Sequence, residues 1–133
     1  MLWATFASSQ NEFRVLSTDF GTDYYIAFML GRSWLGMRGE DVMVSARWLR
    51  DKHDTKSIRL VAIGDVGPPA LHAAALEPEL VANLELKESL ESWRELMRAK
   101  DAHKHIYNAV HDALRYYDLP DLVQMPGGNI VHK

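Results

Sequence analysis

Short apolar runs alternate along this chain with longer stretches whose apolar residues recur at helical spacing. Phe13–Ser17 (FRVLS) predicts a short strand, and the TDFGTD after it is turn chemistry. Tyr24–Leu35 carries apolar residues every three or four positions around Gly31, which predicts a helix. Glu40–Arg50 predicts a second helix with Val42, Ala46 and Leu49 on one face, followed by a polar loop over Asp51–Ser57. Ile58–Ile63 (IRLVAI) is short, rich in branched residues and ends at Gly64, the pattern of a buried strand. Pro68 and Pro69 suit the first turn of a helix, where no backbone donor is needed, and that helix (ALHAAAL) must stop before Pro78. Val81–Leu86 (VANLEL) predicts a further strand, and Leu90–Ala99 and Ile106–Tyr117 predict amphipathic helices. LPDL then turns the chain, and Gly127 and Gly128 break it before a strand-like NIVHK.

Strands alternating with helices imply right-handed βαβ crossovers and a mostly parallel sheet. The expectation is one small three-layer α/β domain over residues 1–133, with a sheet of about four strands. A length of 133 residues fits one domain, and 47% apolar with 25% charged residues is ordinary globular composition. A net charge of −3 argues against a general nucleic-acid binder or a protein drawn to anionic membranes. The absence of cysteine excludes disulfides, thiolate metal sites and cysteine nucleophiles. No apolar run approaches membrane-spanning length, and MLWATFASSQNEF lacks the basic start and apolar core of a signal peptide, so a cytoplasmic location is the default.

The stretch VAIGDVGPPALHAAALEP (Val61–Pro78) has the outline of a strand, a tight turn and a helix. It resembles the nucleophile elbow of the α/β-hydrolase superfamily, G-x-S-x-G, with Gly64 at the first glycine, Val66 at the nucleophile and Pro68 at the second glycine. LGRSWLGMRGEDVMVSARWL (Leu30–Leu49) and LRYYDLPDL (Leu114–Leu122) are similar to the large esterases known as acetyl xylan esterases. Some tandem-domain members of that group carry a second hydrolase-like domain whose elbow has no serine. The resemblance implies the C-terminal part of such a fold, ending about where the strand of the catalytic acid would lie. Catalysis does not carry over: Val66 has no lone pair to attack an acyl carbon and no proton for a base to take. Asp65 and His132 are the remaining, weak catalytic candidates, although Asp65 lies one position early and reads first as a cap of the following helix.

Three functions stay open: a non-catalytic structural, dimerising or accessory domain, an esterase-like enzyme with an atypical nucleophile, and a ligand-binding module. In the last, Gly64, Asp65, Val66, Gly67 and Pro68 would line a crevice at the strand ends, where open α/β sheets bind small molecules. As a phosphate loop the same turn lacks a third glycine, and its two prolines delete donors. His103, His105, His111 and Asp112 cluster, but their spacing does not place a metal-ligating set on one helix face, and no cofactor is expected. Arg32 and Arg38 read as partners for Glu40 and Asp41. A hydrolase frame cut short in this way would lack the helices that cover one sheet face, so a homodimer through that face, or a missing partner domain, is expected to cover it.

Overall fold

The computed structural model describes residues 3–5, 22–98, 107–125 and 129–132. Strands β1 (Trp3–Thr5), β2 (Ile58–Ile63), β3 (Val81–Lys87) and β4 (Asn129–His132) lie side by side in chain order, and every pairing is parallel. Among the described residues five α-helices lie between them: α1 (Thr22–Met29) and α2 (Trp34–Lys52) before β2, α3 (Gly67–Leu76) between β2 and β3, and α4 (Trp93–Arg98) and α5 (Leu119–Val123) before β4. The mixed architecture built on a parallel sheet is the one the alternating pattern predicts. No helix among the described residues is long and apolar enough to cross a membrane.

The core lies on one face of the sheet. Ile58, Leu60 and Ala62 of β2 and Leu84 and Leu86 of β3 pack with Leu35, Val42 and Ala46 of α2, Ala70, Leu71, Ala73 and Ala74 of α3, Trp93 of α4 and Leu119 of α5. Strand order explains this one-sidedness. Right-handed crossovers that always step the same way across a sheet leave their helices on the same side. The third layer expected on the opposite face is not formed by the described helices.

That opposite face is not the apolar patch expected from IRLVAI and VANLEL. Arg59 and Glu85 meet across β2 and β3 at 2.9 Å, and Lys87 reaches the same carboxylate at 3.2 Å. Asn83 is exposed beside them, and among the side chains described at neighbouring positions of the same parity Val61, Ile63 and Val131 add apolar surface. VANLELK alternates polar with apolar residues along most of its length, so its second face is ionic. The described part of this face therefore mixes charged residues with the exposed Ile63 and Val131 rather than forming a uniform apolar patch.

Two helix boundaries also differ from expectation. The helix anticipated over Tyr24–Leu35 is broken in two by Gly31, whose φ of +70° suits glycine. There the Arg32 amide donates to the Ala27 carbonyl at 2.9 Å and the Gly31 amide to Phe28 at 3.0 Å, the paired bonds that close a helix on a left-handed residue. Ser33 then caps α2, its hydroxyl accepting the Gly36 amide at 3.1 Å, so α2 starts six residues before the expected Glu40 and runs two beyond Arg50. The α-helix expected over Ile106–Tyr117 is absent from the described part of that range: Asp112 adopts φ +59°, a 3₁₀ turn spans Ala113–Arg115, and residues 107–108 are also in 3₁₀ conformation. LPDL, expected as a turn, forms α5 instead, because Asp118 and Asp121 cap it reciprocally. The strand predicted at Phe13–Ser17 lies outside the described residues.

The one-faced core sets an asymmetry between adjacent positions of β3. Leu84→Ala should lower unfolding free energy by about 2–5 kcal/mol, while Asn83→Ala should stay within about 0.5 kcal/mol of the parent. Chemical denaturation of the two variants checks this, and equal losses would place the core on both faces.

Candidate functional site

The turn after β2 holds the residues singled out by motif. Gly64, Asp65 and Val66 form a 3₁₀ turn that runs directly into α3, with Pro68 and Pro69 in the first helical turn as expected. Positive φ falls at Gly64 (+68°), whereas Val66 has φ −84° and ψ −5°, an unstrained helical conformation. A nucleophile elbow needs the opposite arrangement, with strain at the nucleophile and its side chain presented above the sheet. Val66 is instead only 5% exposed and belongs to the core. Val66, whose side chain makes no capping bond, is the N-cap of α3, so Asp65 stands one residue before the cap position.

Of the ligand-binding candidates, Val66, Gly67 and Pro68 are buried, and Gly64 and Asp65 are half-buried. Gly67 is packed hardest: a Cβ there would lie 1.8 Å from Ser89 Oγ and 2.5 Å from Ser89 Cβ. The end of β3 thus closes onto the start of α3, and three of the five positions expected to line a crevice face the interior. The two catalytic candidates are also apart. Asp65 follows β2 and His132 ends β4, with β3 between them. Two strand spacings amount to roughly 10 Å.

A polar cluster that sequence reasoning missed lies beside α3. His72 sits between the rings of Trp93 and Tyr117, with centroids 5.9 and 5.7 Å away. Its Nδ1 lies 2.7 Å from the Pro68 carbonyl, which fixes the proton on that nitrogen and makes Nε2 the acceptor for the Tyr117 hydroxyl at 2.8 Å. Burial holds the imidazole below its ordinary pKa, with the Pro68 bond opposing, and burial raises Tyr117 above the usual phenol. The pair is therefore neutral, and both ring nitrogens are committed within the protein.

Asp118 is the second centre of this cluster. It accepts the Ser92 hydroxyl at 2.6 Å and the amides of Trp93 and Leu119 at 2.8 Å each. Burial alone would raise its carboxyl, but the Ser92 hydroxyl and the amides of Trp93, Leu119 and Arg94 together hold it below the usual carboxylate range. A carboxylate stabilised in this way is a poor base for the Ser92 hydroxyl that touches it. Asp118 and Ser92 thus join α4 to α5, and the Trp93 indole adds a 2.8 Å bond to the Asn108 carbonyl. Two signals for this cluster were present in the sequence: His72 is the lone polar residue in an alanine-rich helix, and D-L-P-D carries an acid at both N-cap and N3.

The remaining candidates are dispersed. Arg32 pairs with Glu40 at 2.6 Å, as expected of it. His111 is exposed and meets the Phe28 ring edge-on, while His103 and His105 lie outside the described residues. Among the described residues no three His, Asp or Glu side chains gather as metal ligands would.

Two measurements follow from this packing. Gly67→Ala should cost about 1–3 kcal/mol through overpacking, and Ser89→Gly should restore much of that loss in the double variant. Additive losses would mean that Ser89 does not close the turn. His72 has a folded pKa below its unfolded value of 6.5, so the unfolded chain binds the extra proton. Its contribution is therefore complete above pH 6.5 and lost as pH falls through the window below it. Thermal unfolding from pH 8 to pH 5 should show this decline in the parent and a flatter profile in His72→Gln.

Compared with known proteins, the chain matches no family model, no curated protein and no solved structure.

Proposed function

We propose that this chain is a non-catalytic domain on a hydrolase-like α/β frame, serving a structural or accessory role through association with a second copy of itself. The burial of Val66, unstrained where the elbow would place its nucleophile, is the observation that carries this reading. The polar cluster is consistent with it: Ser92 bonds a stabilised carboxylate rather than a histidine, and burial lowers the basicity of the histidine that accepts from Tyr117.

The association face is α1 rather than the ionic side of the sheet. Ala27 is the buried residue of that helix. Tyr25 and Met29, one turn apart, and Ile26 and Leu30 beside them form one outward stripe, with Met29 84% exposed. Four large apolar side chains in a continuous stripe exceed the scattered exposure expected of a monomer surface. A two-fold pairing of α1 with its copy would bury the stripe against itself.

Light scattering across a dilution series should give about twice the 15.2 kDa chain mass, and Ile26→Glu combined with Met29→Glu should return a folded monomer. A parent that is monomeric at every concentration overturns the association. Turnover of an activated acetyl ester should remain at background in the parent and in Val66→Ser; activity abolished by Asp65→Ala would overturn the non-catalytic reading.

A further inference from the structure

The inner side of α1 bounds a groove that the cluster around His72 does not use. Tyr24, Phe28 and Gly31 follow one another at i, i+4 and i+7, so they form a stripe separate from the outward one. The segment Ala109–His111 forms the opposite wall, and Arg32 and Ser33 stand at the end of the helix. The groove is half open and encloses about 230 Å³. That is below the range of about 300–1,000 Å³ typical of drug-sized ligands, and suits a single ring with a short substituent.

Its chemistry is divided. Tyr24, Phe28 and Val110 supply aromatic and aliphatic surface, with the His111 ring set edge-on to Phe28 at 5.9 Å between centroids. The polar groups are donors or can serve as donors: the Arg32 guanidinium, the Ser33 hydroxyl, the Tyr24 hydroxyl and the His111 ring. Arg32 carries five N–H groups, one nitrogen of which meets Glu40, and both side chains of that pair are half exposed. An exposed pair of this kind is weak and exchangeable, and it shows that a carboxylate can seat on this guanidinium. We propose that the groove is a binding site for a small aryl carboxylate, its ring between Phe28 and Val110 and its carboxylate on Arg32 in competition with Glu40.

Benzoate and its neutral isostere benzamide are the probes, followed by NMR on the full chain. Benzoate should shift the resonances of Tyr24, Phe28, Val110 and His111 saturably, and benzamide should bind about tenfold more weakly, the difference expected of a charge-assisted bond. Arg32→Gln should weaken benzoate by a similar factor, whereas Glu40→Gln should strengthen it several-fold by removing the internal competitor. Both substitutions are at exposed side chains, so the folded spectrum is retained as the control. Equal binding of benzoate and benzamide, no effect of either substitution, or saturable shifts centred away from these residues would overturn the proposal. Measuring at two protein concentrations separates it from self-association, because the benzoate shifts should persist in the Ile26→Glu, Met29→Glu monomer.

Discussion

Parallel strands laid down in chain order give their right-handed connections one side of the sheet to occupy, and this constraint shapes the rest of the molecule. Leucines at 60, 84 and 86 point to the helices, while Arg59, Glu85 and Lys87 form an ion-paired row behind them. Glu85 is nearly buried, and a buried carboxylate without partners would be costly. Cations on both sides of it, one on each of the two central strands, offset that cost while keeping the face polar. A doubly wound sheet, whose strand order reverses, would instead require apolar residues at Arg59 and Glu85.

One-sided cover also concentrates the helices' demands for partners. Beyond α3 the described helices are short, and the polar groups at their ends must be satisfied individually. Asp118 meets much of that need: its carboxylate takes the start of α4, the start of α5 and the Ser92 hydroxyl. Trp93 is thereby fixed against His72 and Tyr117, and the segment before Asp118 is tied to α4 through the Asn108 carbonyl in addition to its own short-turn bonds. The cluster contains serine, aspartate, histidine and tyrosine, yet its bonds run in the wrong sequence for acyl transfer. In an acyl-transfer triad the serine hydroxyl bonds the histidine, and here Ser92 bonds Asp118 while His72 accepts from Tyr117.

What could be read from the sequence divides along the range of the interactions involved. Ile58–Ile63, the prolines of α3 and the short final strand are local patterns, and each stands where the pattern places it. The break at Gly31-Arg32-Ser33 was equally local, since a glycine stop next to a serine start outweighs apolar spacing. The polar residues that alternate with leucine in VANLELK are a local sign of a strand with one wet face. Tyr107–Tyr117 was not legible in this way: its spacing is helical, and the left-handed Asp112 and the Trp93 bond that accompany its non-helical course depend on α4 and α5. The site divides similarly. Val66 could be recognised as an absent nucleophile from its position, but its burial, the closure of Ser89 over Gly67 and the Tyr117–His72 bond across 45 residues required the fold.

The energetics of α1 bear on the proposed association. Eight residues are too few for a helix to persist on propensity, so contacts must hold it. The contacts within the chain lie on its inner side and at its C-terminal end: Ala27 is buried, Phe28 meets His111, and the bonds around Gly31 close the last turn. Tyr25, Ile26, Met29 and Leu30 take little part in that anchoring, because their side chains remain largely in water. Ordering them in the folded chain costs conformational entropy with little apolar burial in return. On the sheet's open face the corresponding cost is already met by ion pairs, which lose hydration if a second protein covers them. Covering α1 removes apolar surface from water, whereas covering Arg59, Glu85 and Lys87 desolvates charge, and that difference favours the helix as the contact between copies.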